Sequence, residues 1–151
     1  MVSTIGRLRP GRSSGRVVLV AAESRHISVD IDRPFEVAYT YAADPAHLPA
    51  WAPGLCTKIE RVDGRWVAES GMGQIVVDFA PPNPFGVLDH DVTVGSGETF
   101  HNPMRILRKG DAAEVVFTLR RQDGMTDADF DRDAAAVHAD MTALKRIIED
   151  A

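Results

Sequence analysis

The stretch "GMTDADFDRDAAAVHADMTALKRIIED", residues 124 to 150, constrains the fold more than any other part of the chain. Phe130, Ala134, Val137, Met141, Leu144 and Ile148 recur at intervals of 4, 3, 4, 3 and 4, which lays one apolar stripe along a long helix. Thr126 is placed to cap that helix with Asp129 three residues on, and Met125 to staple onto Phe130. Asp127, Asp129, Asp131 and Asp133 crowd its start, and Lys145 and Arg146 stand toward its end, as the helix dipole favours. A stripe of this length is stable only if a second layer covers it.

The preceding residues supply that layer. In "RHISVDI", Ile27, Val29 and Ile31 alternate with His26, Ser28 and Asp30, the period of a half-buried strand. "DRPFEVAYTYAADPAHLPAW" turns helical: Phe35, Ala38, Tyr39 and Ala42 share a face, and Asp44-Pro45 opens a second short helix ending near Pro49 and Trp51. From there to residue 122 the chain reads as strands in hairpins. "CTKIERV" and "RWVAES" flank Asp63-Gly64, a strong hairpin signal. Gly71-Met72-Gly73 is another turn, too short for a phosphate loop. "GQIVVDFA" sets Ile75, Val77 and Phe79 on one side, and "AEVVFTLRRQ" does the same with Val115, Phe117 and Leu119. Consecutive turn-linked strands imply an antiparallel sheet with one wet face, and its inner face is where the helix stripe belongs.

Length and charge narrow the function classes. A chain of 151 residues suits one domain able to bury a full core without disulfides or a structural metal. Its single cysteine, Cys56, excludes an internal disulfide framework, reads as structural, and fits a reducing, cytoplasmic setting. The first 22 residues carry four arginines and no acid, while residues 23 to 151 hold 13 basic and 22 acidic groups, a net charge of −9. So acidic a domain repels phosphate backbones, which argues against nucleic acid as a partner. No apolar run approaches the roughly 18 residues of a membrane span. Residues 1 to 24 read as a flexible N-terminal leader and residues 25 to 151 as the domain, which leaves monomer and homodimer both open.

The order of strand, two short helices, antiparallel strands and long C-terminal helix, with "HISVDIDRPFEVAYTYAADPAHLPAW" near the front, resembles the START-like or SRPBCC superfamily. Within it the chain is most similar to the bacterial polyketide cyclase/dehydrase-like proteins, and "DFAPPNPFGVLDHDVT" followed by "NPMRI" points to an uncharacterised bacterial subgroup. The resemblance implies an α+β helix-grip (Bet v 1-like) fold: a curved antiparallel sheet wrapped around the C-terminal helix, with an apolar cavity between them. It also implies binding of a small hydrophobic or aromatic molecule such as a lipid, polyketide or quinone-like compound. Two alternatives stand beside this: a cyclase or dehydratase-like enzyme, and a protein-interaction or co-chaperone-like module. Fold alone does not choose.

One residue breaks the apolar pattern. In "GVLDHDVTVGSG", residues 86 to 97, His90 shares a face with Leu88, Val92 and Val94, while Asp89, Asp91 and Thr93 take the other. If that strand lines the cavity, His90 is a polar handle for a ligand, or the acid–base of the enzyme alternative. Its cross-strand partner depends on the turn: His101 for a two-residue turn at Gly95-Ser96, Asn102 for a three-residue loop, Pro103 for a turn at Ser96-Gly97. Phe79, Phe117 and Met141, from the apolar rows, are candidate cavity walls, with Trp51 and Tyr41 from the short helices. His101 and Arg105 complete the candidate ligand-binding set, Arg105 with the fork geometry that suits an acidic group. The five histidines show neither HExxH nor paired Cys/His spacing, so no metal is expected; there is no GxSxG elbow for a serine nucleophile, and no cofactor is expected.

Overall fold

The computed structural model describes residues 22 to 151; the expected leader over residues 1 to 24 falls almost wholly outside them. Strand β1 (Ser24–Ile31) leads into helix α1 (Phe35–Ala42), and a short 3₁₀ turn (Pro45–His47) runs into α2 (Leu48–Trp51). Seven strands follow: β2 (Lys58–Val62), β3 (Arg65–Ser70), β4 (Gly73–Phe79), β5 (His90–Thr93), β6 (Thr99–Asn102), β7 (Met104–Lys109) and β8 (Ala112–Arg120). The chain closes with α3 (Asp127–Asp150). This is the helix-grip architecture, an antiparallel eight-stranded sheet curved around one long helix.

Local chemistry explains the breaks. Asp63 and Gly64 both take positive φ, 50° and 78°, which matches the twist of the β2–β3 hairpin they join. Asp44 caps the turn before α2 by accepting from the Ala46 amide at 3.0 Å. The Thr126 hydroxyl accepts from the Asp129 amide and the Asp129 carboxylate accepts from the Thr126 amide, each at 3.1 Å, so the expected capping box forms.

The ladders run β2-β3-β4-β5-β6 and β1-β8-β7. Segment 99 to 109 changes partner midway, pairing with β5 before Pro103 and with β8 after it. Proline has no amide hydrogen for a ladder, so the bend falls there. Backbone bonds stitch the corner: Leu88 N–H to Met104 O, Ile106 N–H to Gly86 O and Thr118 N–H to Pro103 O, each at 2.9 Å. At Gly86, φ is +74° and an added Cβ would lie 2.1 Å from the Ile106 carbonyl oxygen, so only glycine fits.

The inner face carries Ile31, Ala68, Ile75, Val77, Val92, Met104, Ile106, Val115 and Phe117, joined in one core with Val137, Met141, Leu144 and Ile148 of α3. α3 lies mainly on β1 and is fastened at both ends. Arg121 bonds Asp127 at 2.7 Å and the Met125 carbonyl at 2.9 Å near its start. At the far end Lys145 donates to the Asp30 carbonyl at 2.9 Å, and Arg33 to the carbonyls of Glu149 and Ala151. No helix among the described residues is long and apolar enough to cross a membrane.

Two stability measurements check this account. Gly86→Ala should lower unfolding free energy in urea by about 3 kcal/mol or more, because the backbone must shift to admit the methyl group. Thr126→Ala should cost only about 1 kcal/mol, the usual value of a lost cap.

Candidate functional site

His90 opens β5, and the alternation along residues 88 to 94 turns its side chain inward with Leu88 and Val92. The imidazole is 1% exposed. It stacks on Phe79, its neighbour on β4, with ring centroids 4.8 Å apart, and meets Phe117 of β8 at 6.1 Å in a tilted arrangement. Nδ1 lies 3.0 Å from the Leu88 carbonyl oxygen. A carbonyl oxygen only accepts, so Nδ1 carries the hydrogen. Burial lowers the His90 pKa to about 4, with the bond to Leu88 offsetting part of the shift, so the ring is neutral near pH 7 and Nε2 is an acceptor. Nε2 is buried and has no hydrogen-bond partner among the described residues.

The turn after β5 decides what faces it. Val94 N–H bonds Glu98 O, Gly97 takes φ +89°, and the loop is three residues long, Gly95 to Gly97. His90 therefore stands opposite Asn102, the middle of the three possibilities the sequence left open. Asn102 is also inward and nearly buried, and its Nδ2 lacks a partner as well. Sequence reasoning did not single it out as a site residue; the signal was there in the loop length.

Phe79, Phe117 and Met141 all join the core, and the first two touch His90 directly. Trp51 is fully buried in the same core, with its Nε1 also unpartnered. Tyr41 is occupied locally: its ring stacks on His47 at 4.1 Å, and burial, with Asp44 nearby, pushes its phenol pKa up. Cys56 is buried and its thiol is raised to about 11, which makes it inert at neutral pH.

His101 and Arg105 do not line this interior. One residue along from Asn102, His101 points to the outer face, where its Nδ1 lies 2.6 Å from Asp91 and its Nε2 3.9 Å from Asp89. Arg105 is ion-paired with Asp89 on that same face, so its charge is already met. Period-two geometry puts both on the wet side of the strand. An open depression of about 250 Å³ is lined there by Asp78, Asp89, Asp91 and His101 and reaches Phe79, Ala80 and His90. Among the described residues, no group of three His, Cys, Asp or Glu side chains is arranged to hold a metal ion.

The geometry can be set beside known proteins. No protein-family model matches the chain, and no curated protein sequence does. Solved structures do match in shape. The protein XoxI from Bacillus cereus superposes with a TM-score of 0.66 at 11% identity, covering 84% of this chain and 96% of that one. A START superfamily protein from Mycobacterium smegmatis gives 0.61 at 11% identity, with 84% and 97% covered. Ara h 8.0201 gives 0.61 at 11% identity, with 86% and 99% covered. The chain has the START-like, Bet v 1-like helix-grip fold; at such identities the likeness speaks for the fold alone.

The buried histidine has a pH signature. His90 takes up its proton near 6.5 when unfolded and near 4 when folded, so between these values the unfolded chain binds the extra proton. Its contribution is intact above about pH 6.5 and is lost as pH falls toward 4, by up to about 3 kcal/mol. Asp140, raised to about 6 by burial, acts in the opposite sense, because below pH 6 the folded chain holds the extra proton. Urea unfolding of wild type and His90→Gln separates the two. Between about pH 7.5 and 4.5 the wild type should lose about 2–3 kcal/mol more than the variant. Equal losses would mean that His90 protonates as readily folded as unfolded.

Proposed function

We propose that this protein binds a small, predominantly apolar molecule between the sheet and α3, with His90 as its polar handle. The observation that carries this is a neutral imidazole in an aromatic setting of Phe79 and Phe117, one nitrogen satisfied by Leu88 and the other, Nε2, unpartnered inside the apolar core. Buried polar atoms are normally paired, and an unpartnered acceptor set among aromatic rings in a mainly apolar interior fits the pattern of small-molecule sites. The helix-grip fold supports the reading by supplying the layered interior. Free, buried Cys56 supports a reducing, cytoplasmic setting.

The acid–base alternative gains less support. A general base works best with a pKa near the operating pH, and His90 at about 4 is a weak base at pH 7. Separation from His101, which faces outward, also removes the paired-histidine arrangement that would favour proton shuttling.

Native mass spectrometry tests the proposal. The protein as purified, or after incubation with 2-naphthol, whose apolar rings carry one polar group for the handle, should carry an added mass that disappears on denaturation. His90→Ala should retain less of it, and His101→Ala as much as wild type. A native mass equal to the denatured mass in both preparations would exclude interior binding; unchanged retention by His90→Ala would remove His90 from the site.

A further inference from the structure

The antiparallel register sets His90 and Asn102 directly opposite each other on the inner face, so their side chains are neighbours. They do not bond to each other: His90 Nε2 and Asn102 Nδ2 are both buried without a partner among the described residues. Their characters are opposite. Nδ1 of His90 spends its hydrogen on the Leu88 carbonyl, which leaves Nε2 as a lone-pair acceptor. The amide Nδ2 of Asn102 is a donor with no acceptor function.

From this juxtaposition we infer that His90 and Asn102 form a subsite for a neutral hydroxyl group, a phenol or alcohol, on an otherwise apolar ligand. This rests on the interior-binding reading above and specifies the class of molecule bound. A hydroxyl donates its hydrogen to Nε2 while its oxygen accepts from Nδ2, so one group satisfies both buried atoms. A ketone or ether accepts from Asn102 but has nothing to give Nε2. A carboxylate has no hydrogen to give either, and it meets the cost of entering an apolar interior without a cation facing it. The aromatic ring of Phe79 against one side of the imidazole, with Phe117 beyond, fixes the orientation of the acceptor and lends itself to a flat, ring-bearing ligand.

A matched series of probes on the full chain tests this, with isothermal titration calorimetry at neutral pH as the readout. The probes are naphthalene, 2-methoxynaphthalene, 2-naphthol and 2-naphthoate. Burial of apolar area alone ranks naphthalene and the methyl ether at or above the naphthol, so a preference for 2-naphthol reports the hydrogen bonds. The expected result is that 2-naphthol binds about tenfold or more tighter than naphthalene and its methyl ether, with 2-naphthoate weakest. Asn102→Ala and His90→Phe should each erase most of that preference while still binding naphthalene, and His101→Ala should keep it. The wild-type series stands even if a variant fails to fold. Equal affinity for naphthalene, the ether and the naphthol, or tighter binding of the naphthoate, would overturn the hydroxyl subsite while leaving interior apolar binding in place. Failure of all four to bind would overturn both.

Discussion

Everything in this fold depends on burying one face of α3. Phe130, Val137, Met141, Leu144 and Ile148 have essentially no exposed surface, and each contributes about 1.5–3 kcal/mol by leaving water. A straight helix of this length touches a flat sheet along only a narrow line, so the sheet must curve to meet the stripe. The bend at Pro103, where one segment passes from β5's partner to β8's, is the local device that achieves this. Gly86 makes the corner tight enough by letting the backbone approach Ile106 without a side chain in between.

Curvature also separates two kinds of environment along the same strands. Fastening at both ends of α3 is polar and runs through Arg121, Lys145 and Arg33, mostly to backbone carbonyls of fixed position. Between those fastenings the buried side chains are apolar, apart from His90, Asn102 and Asp133. On the outer face the same strands carry Asp78, Asp89, Asp91, His101 and Arg105, where charges pair in contact with water and cost little to keep. Whether a residue of these strands meets the core or water is therefore set by which side of the pleat it occupies, more than by its residue type.

That distinction explains what could be read from the residues alone. The α3 stripe, its Thr126–Asp129 cap, the Asp63-Gly64 hairpin and the inward alternation of Leu88, His90 and Val92 are local patterns, and local patterns are legible. Partners across strands are not local. His90 faces Asn102 because the loop after β5 has three residues, and a loop shorter by one would have offered His101. His101 and Arg105 were plausible ligand contacts by chemistry, yet parity of position put them outside, against aspartates whose proximity no spacing rule reveals. Trp51, a candidate cavity wall by residue type, is fully buried in the core, and its unpartnered Nε1 needs three-dimensional packing to be seen.

The pairing of β1 with β8 has a consequence for how the chain comes into being. Ser24 stands opposite Arg120 and Ile31 opposite Ala113, so the first strand of the domain waits for the last one. A ribosome adding roughly 5–20 residues per second leaves Ile27, Val29 and Ile31 without their sheet partners for several seconds. The hairpins from β2 to β6 can assemble in that interval because their contacts are near in sequence. β1, by contrast, is an apolar edge in search of a strand until β8 emerges, and α3, made after β8, can lie down only on the surface that this pairing completes. Closure of the domain is accordingly a late, long-range event, and this first strand is the part of the nascent chain most in need of protection.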